Sequence, residues 1–151
     1  MKRQRLLAVL AILVGVTALA ASAAISQQPK THRLVIHISE NNPTTMNIAL
    51  NNAQNAIAVF QERGDKVEVE FVAIGPGLNM LRDDTSPVKA RIAGIAASNS
   101  NITFSGCGNT RAGMQKSEGK EIPMLPQARI VPAGIVRVVE LEEQGWTYVR
   151  P

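Results

Sequence analysis

Three observations predict an α/β fold in which helices cover both faces of a mainly parallel five-stranded sheet, in three α/β/α layers. Short β-branched segments alternate with segments that have helical spacing of apolar residues. Glycine or proline follows closely after each predicted strand. The strand–helix order also repeats along the chain, which is typical of parallel strands joined by crossover helices.

The first strand and helix have clear sequence signals. Residues 33–39 are almost continuously apolar and β-branched, which is typical of a strand buried on both faces. Asn42 is a favourable cap for the next helix, and Pro43 suits its first position. Gly64 ends the helix. The apolar residues between them recur at helical spacing: Met46, Ala49, Leu50, Ala53, Ala56, Ile57 and Phe60.

The next two elements are a strand and a helix. Residues 66–74 form the second predicted strand, and the polar–apolar alternation of their first half predicts that this part lies near an exposed edge. Residues 78–82 predict a short helical turn. A helix begins at Ser86–Pro87, with apolar residues at Val88, Ile92, Ile95 and Ala96.

The last part of the chain predicts two more strands with a helix between them. The strands cover residues 128–131 and 146–149. The helix covers residues 135–144, and its spacing predicts that Val136, Val139 and Leu141 face inward.

The third predicted strand ends in a segment that contains the only cysteine, Cys107. Glycines lie on both sides of it, and Asn109 or Thr110 is suited to cap a helix that runs toward Gly119. A thiol between a strand end and a helix start lies near free N–H groups, and both these groups and the helix dipole favour the thiolate. The alternative is that Cys107 is a small buried apolar residue.

Ligands of parallel α/β sheets bind beyond the carboxyl ends of the strands. Cys107 lies at this edge, as do Asn41 after the first strand and Gly75 and Gly77 after the second. These residues are therefore candidates for a catalytic or binding site.

Four residues after Cys107 are further candidates. The N–H groups of Gly108 and Asn109 and the hydroxyl of Thr110 can stabilise an anionic sulfur. Arg111 can add positive charge.

Other kinds of site receive no support from the sequence. The chain has two histidines and one cysteine, which is too few ligands for a typical metal site. His37 lies within the first strand, where a hydrogen-bonded core histidine is favoured over a catalytic partner for Cys107. No phosphate-binding or dinucleotide-binding motif is present, so no cofactor is predicted.

The N-terminus has the layout of a secretory signal peptide over residues 1–23. Lys2, Arg3 and Arg5 precede an apolar run from Leu6 to Leu19, and small residues at 21–23 suit a cleavage site. Residues 24–32 form a flexible lead-in. The prediction is therefore an exported, for example periplasmic, protein with no membrane attachment after cleavage; an uncleaved anchor is the alternative.

The charge of the chain does not indicate nucleic-acid binding. Its net charge is +4, with 16 basic and 12 acidic residues, and three of the basic residues lie in the predicted signal. Aromatic residues make up only 3% of the chain, so a stacking surface for bases is not expected.

In an oxidising compartment, Cys107 is free, paired with another chain or kept reduced by a partner.

Residues 33–151 resemble the DsrE/DsrF-like (YchN-like) proteins. The resemblance rests on the order of several segments: 33–39, the Asn52, Ala53 and Asn55 spacing, 69–75, 104–110, 130–136 and 140–151. The chain is most similar to an exported branch of the family that has a single cysteine after the third strand.

The resemblance implies a parallel α/β/α fold and a homo-oligomer, commonly a trimer or hexamer. It also implies that Cys107 carries sulfane sulfur as a persulfide between a donor and an acceptor protein, as a sulfurtransferase-type carrier would. The alternative is a non-catalytic oligomeric module that binds a small ligand or partner and has a structural cysteine.

Overall fold

The computed structural model describes residues 28–151, so the predicted signal peptide at residues 1–23 lies outside the described part of the chain. Five strands alternate with helices: β1 (Thr31–Ile38), α1 (Pro43–Glu62), β2 (Lys66–Ala73), a 3₁₀ helix (Gly75–Leu81), α2 (Lys89–Ser98), β3 (Ile102–Cys107), α3 (Gly108–Glu118), β4 (Ala128–Val131), α4 (Gly134–Glu143) and β5 (Thr147–Val149).

The sheet is entirely parallel and has the strand order β4-β3-β2-β1-β5. The predicted fold class is therefore confirmed. The chain builds the sheet outward from β1 to β4 and then returns through α4 to pair β5 with the free side of β1. Consequently α4 crosses the sheet from one edge to the other.

The two faces of the sheet are covered unequally. One large apolar cluster joins the strands to α1, α2 and the 3₁₀ helix, and Met114 of α3 packs against it. A much smaller cluster on the opposite face consists of Val35, Val72, Val138 and Leu141. A single helix, α4, covers this second face in the described part of the chain.

Local signals explain why α1 begins where it does. The side-chain oxygen of Asn42 accepts hydrogen bonds from the N–H groups of Thr44 at 2.8 Å and Thr45 at 3.3 Å, and Pro43 occupies the first turn. The cap satisfies N–H groups that have no partner within the helix. This part of the prediction is confirmed.

Two expectations about burial are wrong. The second strand does not lie near an edge, because β2 occupies the centre of the sheet. Its alternating glutamates have another cause: Glu70 is buried and paired with arginines. Val136 and Val139 do not face inward either, since they are 52% and 46% exposed, whereas Val138 and Leu141 of α4 are buried.

Candidate functional site

Cys107 is the last residue of β3 and occupies the N-cap position of α3. Along β3 its side chain alternates with those of Phe104 and Gly106, so it points to the face that carries α4. The residue is 5% exposed and forms no disulfide. The sulfur therefore lies under the first turn of α4 and beside the first turn of α3.

Four donor groups at the starts of these two helices favour the thiolate form of Cys107. They are the Thr110 hydroxyl and the N–H groups of Gly134, Thr110 and Asn109. Burial by itself would raise the pKa of Cys107, but the hydrogen bonds outweigh it and hold the pKa below its ordinary value. Both neighbouring helix N-termini have partial positive charge, which also suits a thiolate.

The orientation of Thr110 is fixed by a second strand end. Its Oγ1 accepts a hydrogen bond from the N–H of Gly75 at 3.0 Å. The hydroxyl proton is thus left free to point toward Cys107. Thr110 therefore connects Gly75, the first residue of the 3₁₀ helix, with Cys107 at the end of β3.

Gly134 allows α4 to approach the cysteine closely. A Cβ atom at this position would lie 2.6 Å from Cγ1 of Ile74 and 3.1 Å from Cβ of Cys107. Any larger residue would therefore push the first turn of α4 away from the sulfur. The sequence analysis missed Gly134 as a site residue, although its position after the fourth strand placed it at the correct edge of the sheet.

The other predicted site residues differ in what they contact. Asn109 and Thr110 lie at the sulfur, as expected, and Asn109 N–H also lies 3.2 Å from the carbonyl of Pro132. Gly108 packs against the backbone of Val131, since a Cβ atom on it would lie 3.1 Å from the Val131 carbonyl oxygen. Its glycine is explained by this close packing.

Arg111 and Gly77 have structural partners elsewhere. The guanidinium of Arg111 donates to the carbonyl of Ile122 at 2.9 Å and contacts Glu121 at 3.0 Å, so it is not a charge partner of the thiol. A Cβ on Gly77 would lie 2.3 Å from the carbonyl oxygen of Ile38. Gly77 therefore allows the 3₁₀ helix to pack against the end of β1.

An open cleft of about 610 Å³ lies beside the site at the carboxyl edge of the sheet. Its wall includes three of the predicted site residues, Asn41, Gly75 and Thr110. The Asn41 side-chain oxygen accepts from Asn79 at 2.8 Å. Arg82 and Glu118, which form an ion pair, complete the polar part of the wall.

His37 does not pair with Cys107. Its Nδ1 lies 2.8 Å from the hydroxyl of Tyr148, and its Nε2 is buried without a hydrogen-bond partner. Burial and the nearby charge of Arg150 lower the pKa of His37 below its ordinary value. The favoured interpretation of a hydrogen-bonded histidine therefore agrees with its contacts.

A buried ion cluster lies next to the cysteine on the α4 face and was not anticipated from the sequence. Glu70 is 2% exposed and contacts two guanidinium groups, those of Arg137 at 2.8 Å and Arg129 at 2.7 Å. The hydroxyl of Ser105 donates to Glu70 at 2.7 Å. Burial would raise the pKa of Glu70, but these partners together hold it below its ordinary value.

Two further features concern metals and membranes. Residues 28–151 contain no group of three or more histidine, cysteine or acidic side chains arranged to hold a metal ion. Within the same described range, no helix has both the length and the apolar character needed to cross a bilayer.

Comparison with solved structures finds a similar chain in MTH1491, a protein of unknown function from Methanobacterium thermoautotrophicum. The two sequences are 26% identical, and the match covers 80% of this chain and 99% of that chain with a TM-score of 0.67. No family model and no curated protein matches the chain. The likeness supports the three-layer α/β/α architecture.

Proposed function

We propose that this chain is a thiol protein of the DsrE/DsrF-like type that carries sulfane sulfur as a persulfide on Cys107. The observation that carries the proposal is the position of Cys107 at the start of α3 and against the first turn of α4, where donor groups of Thr110, Asn109 and Gly134 favour its thiolate. A buried apolar cysteine has no need of such donors, whereas a thiolate or a persulfide anion does.

The proposed transfer step needs no cofactor. The Cys107 thiolate attacks the sulfane sulfur of a donor, and a new S–S bond forms on Cys107. The donor's own S–S bond breaks, and its leaving group departs with the electron pair as a thiolate or sulfite. The Thr110 hydroxyl and the N–H groups of Asn109 and Gly134 stabilise the terminal negative charge. An acceptor thiolate then removes the outer sulfur in the same way.

The mass of the intact protein tests this proposal. The exported protein is incubated with a sulfane-sulfur donor and measured with and without reductant, beside Cys107→Ser. A reductant-labile gain of roughly 32 Da on wild type alone is expected for one sulfur atom on the persulfide branch of thiol chemistry. Folding of the serine variant is checked by circular dichroism.

The competing proposal is a non-catalytic module that binds a small ligand or a partner. It is favoured by the 5% exposure of Cys107 and by the open cleft of about 610 Å³ beside it. This function requires an inert thiol. No mass gain, together with alkylation only after denaturation, would replace the sulfur-carrier proposal with the binding module.

We also propose that the protein is exported and acts as a homo-oligomer that exchanges sulfur with donor and acceptor proteins. Exposed apolar residues on α4 support self-association: Ile135 is 58% exposed and Val136 is 52% exposed. The export proposal rests on the sequence of residues 1–23. N-terminal sequencing of the secreted protein tests it, with a start at residue 24 expected.

A further inference from the structure

The buried ion cluster connects α4 to the sheet close to Cys107. Arg137 lies one turn after Gly134 on α4, and its N–H bonds to the carbonyl of Ala133 within that first turn. The Nε and Nη2 atoms of Arg137 donate to the two oxygens of Glu70 at 2.9 and 2.8 Å. This two-point contact fixes both the position and the rotation of the start of α4.

The other side of the cluster is fixed on the strand that carries the cysteine. Ser105 lies two residues before Cys107 on β3, so both side chains point to the α4 face. Its hydroxyl donates to the same Glu70 oxygen that Arg137 Nε contacts. Glu70 thus connects β3, which carries Cys107, with α4, which carries the Gly134 N–H.

We infer that Glu70 and Arg137 are positioning residues that hold the first turn of α4 in place, so that the Gly134 N–H reaches the Cys107 sulfur. This inference rests on the proposed thiolate role of Cys107. The cluster is a poor device for stability alone, because a buried carboxylate–guanidinium pair gains little over apolar residues of the same volume. Arg137 of the cluster lies one helical turn from Gly134, whose N–H faces the Cys107 sulfur. The cluster can therefore fix the position of that N–H group.

The charged and titratable groups on this face come from several elements. Glu68 and Glu70 come from β2, Arg33 and His37 from β1, Arg129 from β4, Tyr148 from β5, and Arg137 and Glu140 from α4. From α3, the nearest charged side chain in sequence is Arg111, which pairs with Glu121.

Replacing the Glu70 carboxylate tests whether Glu70 acts by positioning α4 or only by its charge, because the two roles change the pKa of Cys107 in opposite directions. Glu70→Gln removes a negative charge near the thiolate, which on charge alone would lower the pKa of Cys107. Loss of the two-point contact lets the start of α4 move, so that the Gly134 N–H stabilises the thiolate less. This second effect would raise the pKa of Cys107. We therefore expect the pH midpoint of Cys107 alkylation to rise in Glu70→Gln, with a rate roughly threefold or more lower at pH values below the midpoint.

Arg137→Lys is the second variant, because it keeps the positive charge but loses the two-point contact. The Arg137 side chain is 23% exposed, so a lysine amine can reach water, and the variant decides the question if Glu70→Gln does not fold. A raised midpoint is expected here too. Glu68→Gln is the charge-matched control, since Glu68 lies on the same strand and pairs with Arg33 instead of α4.

The outcomes separate this inference from the proposed function. A midpoint that is unchanged or lower in the folded variants overturns the positioning role, whatever the wild type does with sulfur. If wild type forms no persulfide but the midpoint rises in both variants, the sulfur-carrier function is lost and the positioning role stands.

Discussion

At the scale of single residues, the reactivity of Cys107 depends on small groups that approach it closely. Thr110 both accepts from Gly75 N–H at 3.0 Å and donates to the sulfur, so its hydroxyl has a fixed direction. Gly134 has no room for a side chain. Each of these contacts leads to a separate prediction.

Thr110→Val is expected to raise the pKa of Cys107, because the variant keeps the shape of the side chain but loses the hydroxyl donor. Alkylation at pH values below the midpoint should slow by roughly 3- to 10-fold, the change for about half to one pKa unit. The pH profile of iodoacetamide labelling measures this effect. Thr110→Ser retains the hydroxyl and should label like wild type; equal profiles for serine and valine would contradict the role of the hydroxyl.

Gly134→Ala is expected to destabilise the fold by about 1–3 kcal/mol through overpacking against Ile74 and Cys107. Denaturant unfolding measures the loss. Gly113→Ala on α3 is the matched control, because its new Cβ meets nothing within 4 Å. There the lower backbone entropy of alanine should stabilise the protein by about 0.5–1 kcal/mol. A neutral Gly134→Ala would mean that α4 tolerates displacement.

At the scale of secondary structure, Arg82 joins the end of the 3₁₀ helix to the end of α3. Its side chain is only 7% exposed and contacts Asp84 at 2.8 Å as well as Glu118 at 2.5 Å. These hydrogen bonds raise the pKa of Arg82 and lower those of both carboxyl groups. The guanidinium therefore holds two acidic side chains from different segments together.

Arg82→Met is expected to destabilise the protein measurably, because it removes the buried one of the two cations, Arg82 and Lys120, that contact both the Asp84 and Glu118 carboxylates. Chemical denaturation provides the measurement. Arg33→Met is the control, since the Arg33–Glu68 pair is 45% exposed on both sides and should contribute little. Similar losses for the two variants would mean that Arg82 acts as a surface residue.

The buried Glu70 of β2 predicts a specific acid sensitivity. Its pKa in the folded state lies below the ordinary value of 4.5. The carboxylate therefore stabilises the fold at pH values above 4.5, and this contribution is lost as the pH falls through the lower folded-state pKa. As the pH falls below 4.5, the free energy of unfolding should fall more steeply for wild type than for Glu70→Gln. Parallel curves would contradict the prediction.

The sequence predicted features that depend on neighbouring residues, but not contacts between distant segments. Signals within a few residues were sufficient for the Asn42 cap of α1 and for the placement of Asn109 and Thr110 at Cys107. Gly134 approaches Cys107 from a different segment, so its position after the fourth strand indicated the edge of the sheet but not this contact. The buried Glu70 produced the same alternation as an exposed edge strand, because sequence alone does not show that an arginine from α4 will pair with it.

At the scale of the whole molecule, α4 alone covers one face of the sheet within residues 28–151, and apolar residues on the outer side of α4 are left exposed. Val139 of α4 is 46% exposed, in addition to Ile135 and Val136. Which valines of α4 face the sheet depends on how the helix packs against it. The spacing of apolar residues along the helix did not show this. An exposed apolar surface of this kind is typical of an interaction site.

Self-association is expected to use this face. Light scattering should show that the double variant Val136→Ser and Val139→Ser shifts the protein toward monomer, because it removes apolar area from the interface. Ile48→Ser and Val59→Ser on α1 form the matched control, since these residues are 45% and 43% exposed on the opposite side of the sheet. A monomeric wild type, or equal behaviour of the two double variants, would count against an α4 interface.

The two outer strands have a consequence for how copies of this chain can associate. β4 spans Ala128–Val131, and β5 is only three residues long. Such short edges offer few free N–H and C=O groups to an incoming strand, and Pro132 ends the first of them. Joining of sheets edge to edge, the route to fibrils and domain swapping, is therefore disfavoured. Within residues 28–151, side-chain contacts between helices are therefore favoured over strand pairing for the association of two copies.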